Sequence, residues 1–372
     1  MKIGIVTFWT TQDNYGQILQ AYALQRFLRD KGHDAFIIRY NRAYRGFIWW
    51  LKLPLKLIKI IYWILFDRKT LLFNLKSRKN NKISKDITRL YPRNFDLFKE
   101  RYIRFSDKIY NRSDIMNNPP DADVFVAGSD QIWASLDSVF YLQFVPKGKK
   151  RIAYAPSFGG IQLNSRKKRL LKRYLSSFSV LAIREKEGVN LCKSLGCKDA
   201  FLTIDPTMLI SKEEYSKIAV NSQLESDYLF LYLLGNEMDF DISKVYNWAR
   251  THQLKIKYVS SQGRIDCYEK IYPNIDEWLG LINNAKYIVT NSFHGMVFSL
   301  ILNKKFLVIP LSGIYSRMNG RVFDLLSELE LNDRIYVNDM NILSKNIDYD
   351  SINMVINKKK EIVSLMFNDW IK

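Results

Sequence analysis

The chain has 372 residues, 47% of them hydrophobic, and carries a formal net charge of +20 at pH 7. That length supplies two domains or one large one with ample material for a core, and the apolar content excludes a disordered chain. Its three cysteines, Cys192, Cys197 and Cys267, have no paired spacing. This excludes a disulfide framework and a cysteine zinc site, and it points to a reducing compartment.

The N-terminus, Met1-Lys2-Ile3-Gly4-Ile5-Val6, runs straight into a strand without a basic leader or cleavage site, so no signal peptide is expected. Lys2 to Phe8 reads as a buried strand and Trp9 to Gly16 as a polar loop. Gln17 to Asp30 has helical periodicity, stopped by Lys31-Gly32, and Ala35 to Tyr40 is the next strand. This βαβ opening is that of a Rossmann-like domain, but it lacks G-x-G-x-x-G, the dinucleotide fingerprint. The single loop glycine, Gly16, and the short polar stretch before it suit sugar or phosphate contacts better than a pyrophosphate cradle.

The charge is concentrated. Arg42 to Lys85 holds 12 Lys/Arg against one acid, Asp67, and so supplies 11 of the 20 positive charges. Within it, Phe47 to Phe66 is nearly long enough to span a bilayer, but Lys52, Lys56, Lys59 and Pro54 interrupt it. Aromatic and aliphatic residues mixed with lysine, among them Trp49, Trp50 and Trp63, fit an element lying in the membrane interface, held by anionic lipid. The alternative is an amphipathic hairpin packed on the protein's own core. No nucleic-acid motif accompanies these aromatics, so nucleic acid is not expected as a partner.

Four further apolar strands end in polar or glycine-rich turns. Asp123 to Ala127 leads into Gly128-Ser129-Asp130-Gln131-Ile132-Trp133, and Arg151 to Ala155 into Pro156-Ser157-Phe158-Gly159-Gly160. Ser179 to Ile183 leads into Arg184-Glu185, and Ala200 to Ile204 into Asp205-Pro206-Thr207. Such turns line one edge of an open parallel sheet, where ligands bind. A polar segment, Ser211 to Asp227, marks a domain boundary before the pattern restarts. Strands then read at Tyr228 to Gly235 and Lys255 to Val259, with helices at Asp241 to His252 and Asp276 to Asn284.

The next unit is the most informative. Tyr287-Ile288-Val289 is a buried strand, Thr290 to Gly295 a polar turn, Met296 to Leu302 a buried helix and Phe306 to Ile309 a second strand. His294, one of three histidines, thus sits where helix N-termini point at ligands. A capped, buried histidine without function fits the motif equally well. Tyr349 to Lys372 reads as a closing helix. The expected organisation is therefore an N-terminal Rossmann-like domain over 1–215 with an insert at about 44–85. A second such domain over 227–348 and the closing helix over 349–372 follow.

Two facing α/β halves bring the turns of both into one cleft. Arg184, at a strand end, offers a fork for carboxylate or phosphate. Asn291 and Ser292 are candidate donors and Arg317 a second cation. Asp130 and Asp205 each read as a cleft carboxylate or a turn or N-cap residue, and for Asp205 the Asp-Pro pair favours the turn. Trp133 could stack on a sugar ring or belong to the core. No metal-ligand set and no G-x-S-x-G elbow is present.

Taken in order, five blocks resemble the polysaccharide pyruvyl transferase family: Asn14-Tyr15-Gly16-Gln17-x-Leu19-Gln20-Ala21-Tyr22-Ala23-Leu24, Gly128-Ser129-Asp130-Gln131-x-Trp133, Arg184-Glu185, Asp205-Pro206-Thr207 and Asn291-Ser292-Phe293-His294-Gly295. The blocks lie between Lys2 and about Asp324; the insert from Tyr44 to Ser84 is outside the family pattern. The resemblance implies a GT-B-like pair of Rossmann-like domains around a cleft. It also implies transfer of a pyruvyl group from phosphoenolpyruvate to a sugar of a bacterial surface polysaccharide or its lipid-linked precursor, as a ketal.

Arg184 and His294 match residues that serve the phosphoenolpyruvate site in related enzymes, and no metal or redox cofactor is implied. Asn14, Tyr15, Gly16, Ser129, Asp130, Trp133, Asn291, Ser292 and Arg317 are the expected substrate contacts. The insert adds an expected anionic membrane partner and a place in the cytoplasm at the inner face of the plasma membrane. Two rivals remain: a GT-B glycosyltransferase using a nucleotide sugar, and a non-catalytic membrane- or polyanion-binding protein. An insert remote from a cleft across which His294 faces Arg184 would favour the enzyme.

Overall fold

The computed structural model describes residues 1–42, 53–220, 227–236 and 238–371. In the first half, β1 (Lys2–Val6), α1 (Tyr15–Asp30) and β2 (Asp34–Tyr40) form the opening βαβ unit. A helical hairpin follows, α2 (Leu53–Phe66) and α3 (Arg68–Leu90), then α4 (Phe95–Tyr102), β3 (Phe105–Tyr110) and α5 (Arg112–Asn117). The half continues with β4 (Val124–Ala127), β5 (Lys150–Tyr154), α6 (Ser165–Leu175), β6 (Val180–Ile183), α7 (Lys186–Ser194), β7 (Phe201–Leu202) and α8 (Lys212–Ile218). Its described strands form one parallel sheet in the order β3-β2-β1-β4-β5-β6-β7.

The second half holds β8 (Tyr228–Leu234), α9 (Ser243–Thr251), β9 (Lys255–Ser261), α10 (Ile275–Asn284), β10 (Tyr287–Thr290), α11 (Phe293–Ile301), β11 (Lys305–Val308) and α12 (Gly320–Glu328). The described strands are again parallel, in the order β11-β10-β8-β9, with Ile288 in register between Phe230 and Phe306. Near-continuous apolar strands such as β1, β4, β8 and β10 can only be accommodated where helices cover both faces, which is why the sheets are parallel and central. The architecture is the expected GT-B-like one. The last helix, α13 (Tyr349–Ile371), returns to the first half, where Phe367 packs on Phe27 and Tyr154, and Trp370 on Phe201.

Strand order also fixes where a ligand can enter. The crossovers reverse direction between β1 and β4 in one sheet and between β8 and β10 in the other. At such switch points the helices diverge and leave a crevice outside the strand ends. The two halves meet through a shared core. Tyr15 of α1 stacks on Trp278 of α10 at 5.0 Å and donates its hydroxyl to the Pro273 carbonyl at 2.7 Å. Arg93, buried before α4, donates to the Ser260 carbonyl at 2.6 Å and to the Ser261 hydroxyl at 3.2 Å.

Some elements differ from the sequence reading. α1 begins at Tyr15 rather than Gln17, because the Asn14 side chain caps it by accepting from the Gln17 amide. α11 begins at Phe293 rather than Met296, because Ser292 caps it through the Gly295 amide, so His294 belongs to the helix's first turn. β3, at the sheet edge, has no counterpart in the sequence reading; only Ser106 and Tyr110 of it are buried, so it lacks an apolar run.

The hairpin is only partly packed on the protein. Ile61, Tyr62, Ile64, Leu65 and Phe66 of α2 and Leu72 and Leu75 of α3 are exposed around its tip, Phe66 by 74%. Trp49 and Trp50 lie outside the described residues. Among the described residues, no helix is long and apolar enough to cross a membrane.

Candidate active site

The two crevices merge into one cavity of about 430 Å³. The first half lends Asn14, Gln17 and Asp130 to its wall, and the second lends Ser292, His294 and Arg321. α3 of the insert contributes Asn80 and Ser84. The insert is thus not remote from the cleft.

His294 projects from the first turn of α11 and is 6% exposed. Its ring lies against the backbone of Gly16, where an added Cβ would fall 2.2 Å from the imidazole Cγ. Only glycine allows α1 and α11 to approach this closely. Gly16 therefore serves by its absent side chain, in a helix turn, and not as the flexible loop contact the sequence suggested. The His294 Nε2 is buried without a hydrogen-bond partner, 3.6 Å from Oδ2 of Asp205.

Asp205 is the hub of the site. Its Oδ2 accepts from Arg184 Nη1 at 2.8 Å and from the Ser129 hydroxyl at 2.9 Å, while Oδ1 accepts from the Thr207 amide at 3.0 Å and the Thr207 hydroxyl at 2.7 Å. Burial alone would raise its pKa. The His294 and Arg184 beside it and its hydrogen bonds outweigh burial and hold the carboxyl well below the usual range. Asp205 is at once the turn residue the sequence favoured and the anchor of both candidate residues.

Arg184 is buried and does not line the open cavity; it lies one layer behind, gripping Asp205, with Nη2 3.7 Å from Asp130 Oδ1. Its Nε and Nη2 have no hydrogen-bond partner. Arg321 of α12, which sequence reasoning missed, lines the cavity with buried Nε and Nη1 likewise unbonded. The two guanidinium groups lie 4.9 and 5.1 Å from the centre of the Phe293 ring. Burial, and then the charge of Arg184, pushes Arg321 down to about 10. Asp130, Glu185 and Asp205 offset part of the repulsion between the two like charges, and the unbonded N–H groups are of the kind that pairs with an anion.

Asp130 follows the end of β4 with φ of 72°, a strained backbone for a non-glycine residue, of the kind that persists where surroundings enforce it. It accepts from Gln17 Nε2 at 3.0 Å. Burial would raise its pKa, but Arg184, His294 and Arg321 together bring it below the ordinary value.

The remaining sequence candidates divide. Asn14 and Ser292 line the cavity, but each spends its side-chain oxygen on capping a helix. Asn291 also lines it, with its amide pairing both ways with the backbone of Leu234 at 2.7 and 2.9 Å. Ser129 is buried on Asp205. Tyr15 is interdomain core. Trp133 is core as well, stacked on Tyr141 with its Nε1 donating to the Phe140 carbonyl. Arg317 lies outside the cavity, in the segment before α12; Arg321, four residues later and inside α12, takes the place assigned to it. Among the described residues no cluster of three His, Cys, Asp or Glu side chains could hold a metal.

A family model described as polysaccharide pyruvyl transferase matches residues 14–313. No curated protein matches the chain. Solved structures similar in fold include a UDP-GlcNAc 2-epimerase from Methanocaldococcus jannaschii, 12% identical over 99% of this chain and 100% of that one, with a TM-score of 0.45. A UDP-N-acetylglucosamine 2-epimerase from Rickettsia bellii is 13% identical over 100% and 97%, at 0.47. Arabidopsis thaliana UGT89C1, solved with UDP-L-rhamnose, is 12% identical over 97% and 94%, at 0.44.

Proposed function

The chain belongs to the polysaccharide pyruvyl transferase family, and from that premise we propose that this transferase moves a pyruvyl group from phosphoenolpyruvate to a sugar as a ketal. The observation that carries the donor assignment is the pair of arginines. Phosphoenolpyruvate has a carboxylate and a phosphate, and unbonded N–H groups of Arg321 in the cavity wall and of Arg184 one layer behind it lie beside Phe293, next to His294. Guanidinium forks match both anionic groups.

In this reading His294 delivers a proton to the methylene carbon, which becomes a methyl group. One sugar hydroxyl attacks the resulting cation at the central carbon, phosphate departs, and a second hydroxyl closes the ketal. Of the two hydroxyl protons released, one replaces the proton His294 gave and the other leaves with phosphate. The ionised Asp205 orients the imidazole and balances its charge, a role suited to a carboxylate held far below its usual pKa. The acceptor belongs to a surface polysaccharide or its lipid-linked precursor, and the exposed apolar tip of the basic hairpin holds the enzyme on the anionic inner face of the plasma membrane.

The test is phosphate release from phosphoenolpyruvate with a panel of lipid-linked and nucleotide-linked sugars. Sugar-dependent release supports the reading. Release of a nucleoside diphosphate from a nucleotide sugar, with phosphoenolpyruvate untouched, would replace it with a glycosyl transfer.

A further inference from the structure

The insert contributes more than charge. Asn80 and Ser84, one helical turn apart on α3, line the same cavity as His294. Here α3 is fixed from both halves. The Ser84 hydroxyl donates to Asp13 Oδ2 at 2.9 Å, and that carboxylate oxygen also accepts from the Gln262 amide at 2.9 Å. The Asn80 carbonyl lies so close to Gly263 that a Cβ there would come within 2.6 Å of it. Gly263, at φ of +71°, accepts in turn from Asn236 Nδ2 at 2.9 Å.

The result is a neutral and acidic cluster, Asp13, Asn80, Ser84, Asn236 and Gln262, on the wall of the cavity. Its chemistry is opposite to that of the arginine pair. Amides, a hydroxyl and a carboxylate pair with sugar hydroxyl groups, whereas a carboxylate such as Asp13 repels an anionic donor. A polar path through Asn14 and Gln17 to Asp130 connects this cluster to the region of Arg184.

We propose that α3 of the insert builds the acceptor subsite, with Asn80 and Ser84 contacting a sugar presented on a membrane-bound lipid carrier. This rests on the transferase reading for the second substrate and adds the surface that selects it. The lipid assignment comes from the continuity of the helix. The same α3 that walls the cavity begins at the exposed apolar tip, in a segment with 12 Lys/Arg and one acid between Arg42 and Lys85. Asn80 stands about 20 Å along the helix from Asp67, at ~1.5 Å per residue. The tip and the subsite are therefore separate ends of one rod and can be mutated independently.

The experiment is flotation of the full chain with phosphatidylglycerol–phosphatidylethanolamine vesicles, bare or carrying polyprenyl-diphosphate-linked galactose, mannose or N-acetylhexosamine glycans. Wild type floats with bare vesicles and floats more strongly when one of the glycolipids is present. Asn80→Ala with Ser84→Ala keeps the bare-vesicle binding and loses the glycolipid-dependent increment, roughly thirtyfold in affinity for a lost pair of hydrogen bonds. Ser84→Thr, which keeps the hydroxyl, retains it, and thermal melting of each variant controls for folding. Leu65→Glu with Phe66→Glu loses binding to both vesicle types.

An increment that survives Asn80→Ala with Ser84→Ala, or a wild type that binds no glycolipid better than bare vesicles, overturns the proposal. Phosphate release from phosphoenolpyruvate is read separately. A glycolipid increment without phosphate release leaves the acceptor subsite standing and removes only the donor reading.

Discussion

At the scale of residues, the site is an arrangement of charges kept apart from water. His294→Gln should lower kcat by about 10²–10⁴-fold, the usual contribution of a general acid–base group, with little change in KM for phosphoenolpyruvate. Arg184→Lys should instead raise that KM, since lysine keeps a charge toward Asp205 but loses the unbonded Nε and Nη2 donors. Steady-state kinetics distinguishes them, and the reverse pattern would exchange the roles. Gly16→Ala tests the packing. Its methyl cannot coexist with the imidazole 2.2 Å away, so α1 or His294 must shift. Overpacking of this kind costs about 1–3 kcal/mol, and we expect a lower melting temperature together with loss of turnover. Full activity in Gly16→Ala would mean that the ring position is not critical.

At the scale of elements, helix caps decide where the functional residues stand. Ser292, two residues past the end of β10, caps α11 two residues before His294, which places the imidazole at the positive end of the helix and on the cleft side. The hairpin is the element least explained by its own packing. Around its tip, Leu65 and Phe66 are exposed by 65% and 74%. Burying such side chains in lipid is worth about 1.5–3 kcal/mol each. Leu65→Glu with Phe66→Glu should thus release the protein from phosphatidylglycerol vesicles in a sedimentation assay, with the melting temperature unchanged. Unaltered vesicle binding would show that the tip is not the anchor.

At the scale of the whole molecule, Tyr15, Arg93 and the shared core join the two halves into one cooperative unit. Calorimetry should accordingly record a single unfolding transition; two well-separated transitions would show that the halves unfold independently. The buried acids give that transition a specific pH dependence. Asp205 and Asp130 have folded pKa values below 3.8, so their stabilisation is present above that pH and is lost as pH falls below it. Glu185 is the opposite case. Burial raises it above 4.5 despite the neighbouring Arg184, so its favourable contribution exists below 4.5 and disappears as pH rises through the folded value. Melting curves from pH 3 to 8 should therefore show the deficit of Asp205→Asn at full size near neutrality and beginning to shrink only below about pH 4, with much of it still present at pH 3 because the folded carboxyl titrates well below that. Glu185→Gln should compare best with wild type near neutrality and lose that advantage in acid. Parallel curves for both variants would mean that neither acid is shifted.

The sequence by itself determined the alternation of strands and helices, the turns after β4, β6 and β10, and the placing of His294 and Arg184 at strand ends. These depend on local apolar periodicity and on turn chemistry, which neighbouring residues carry. The closing helix and the concentration of charge in the insert were legible for the same reason. Only the tertiary structure decided that Arg321 rather than Arg317 reaches the cavity, because Arg317 lies in the short 3-10 segment Gly313–Asn319 ahead of α12 and Arg321 in α12 itself, so their directions are set by packing and not by a shared helical face. It also decided that Tyr15 and Trp133 belong to the core. Asp205 reads locally as an ordinary turn, and its function arises from Arg184 and His294, 21 and 89 residues away, converging on one oxygen. The insert joins the cavity by contacts to Asp13 and Gly263 that no pattern within the insert contains. Long-range packing of α3 between the two halves made a basic, aromatic-rich stretch part of the site.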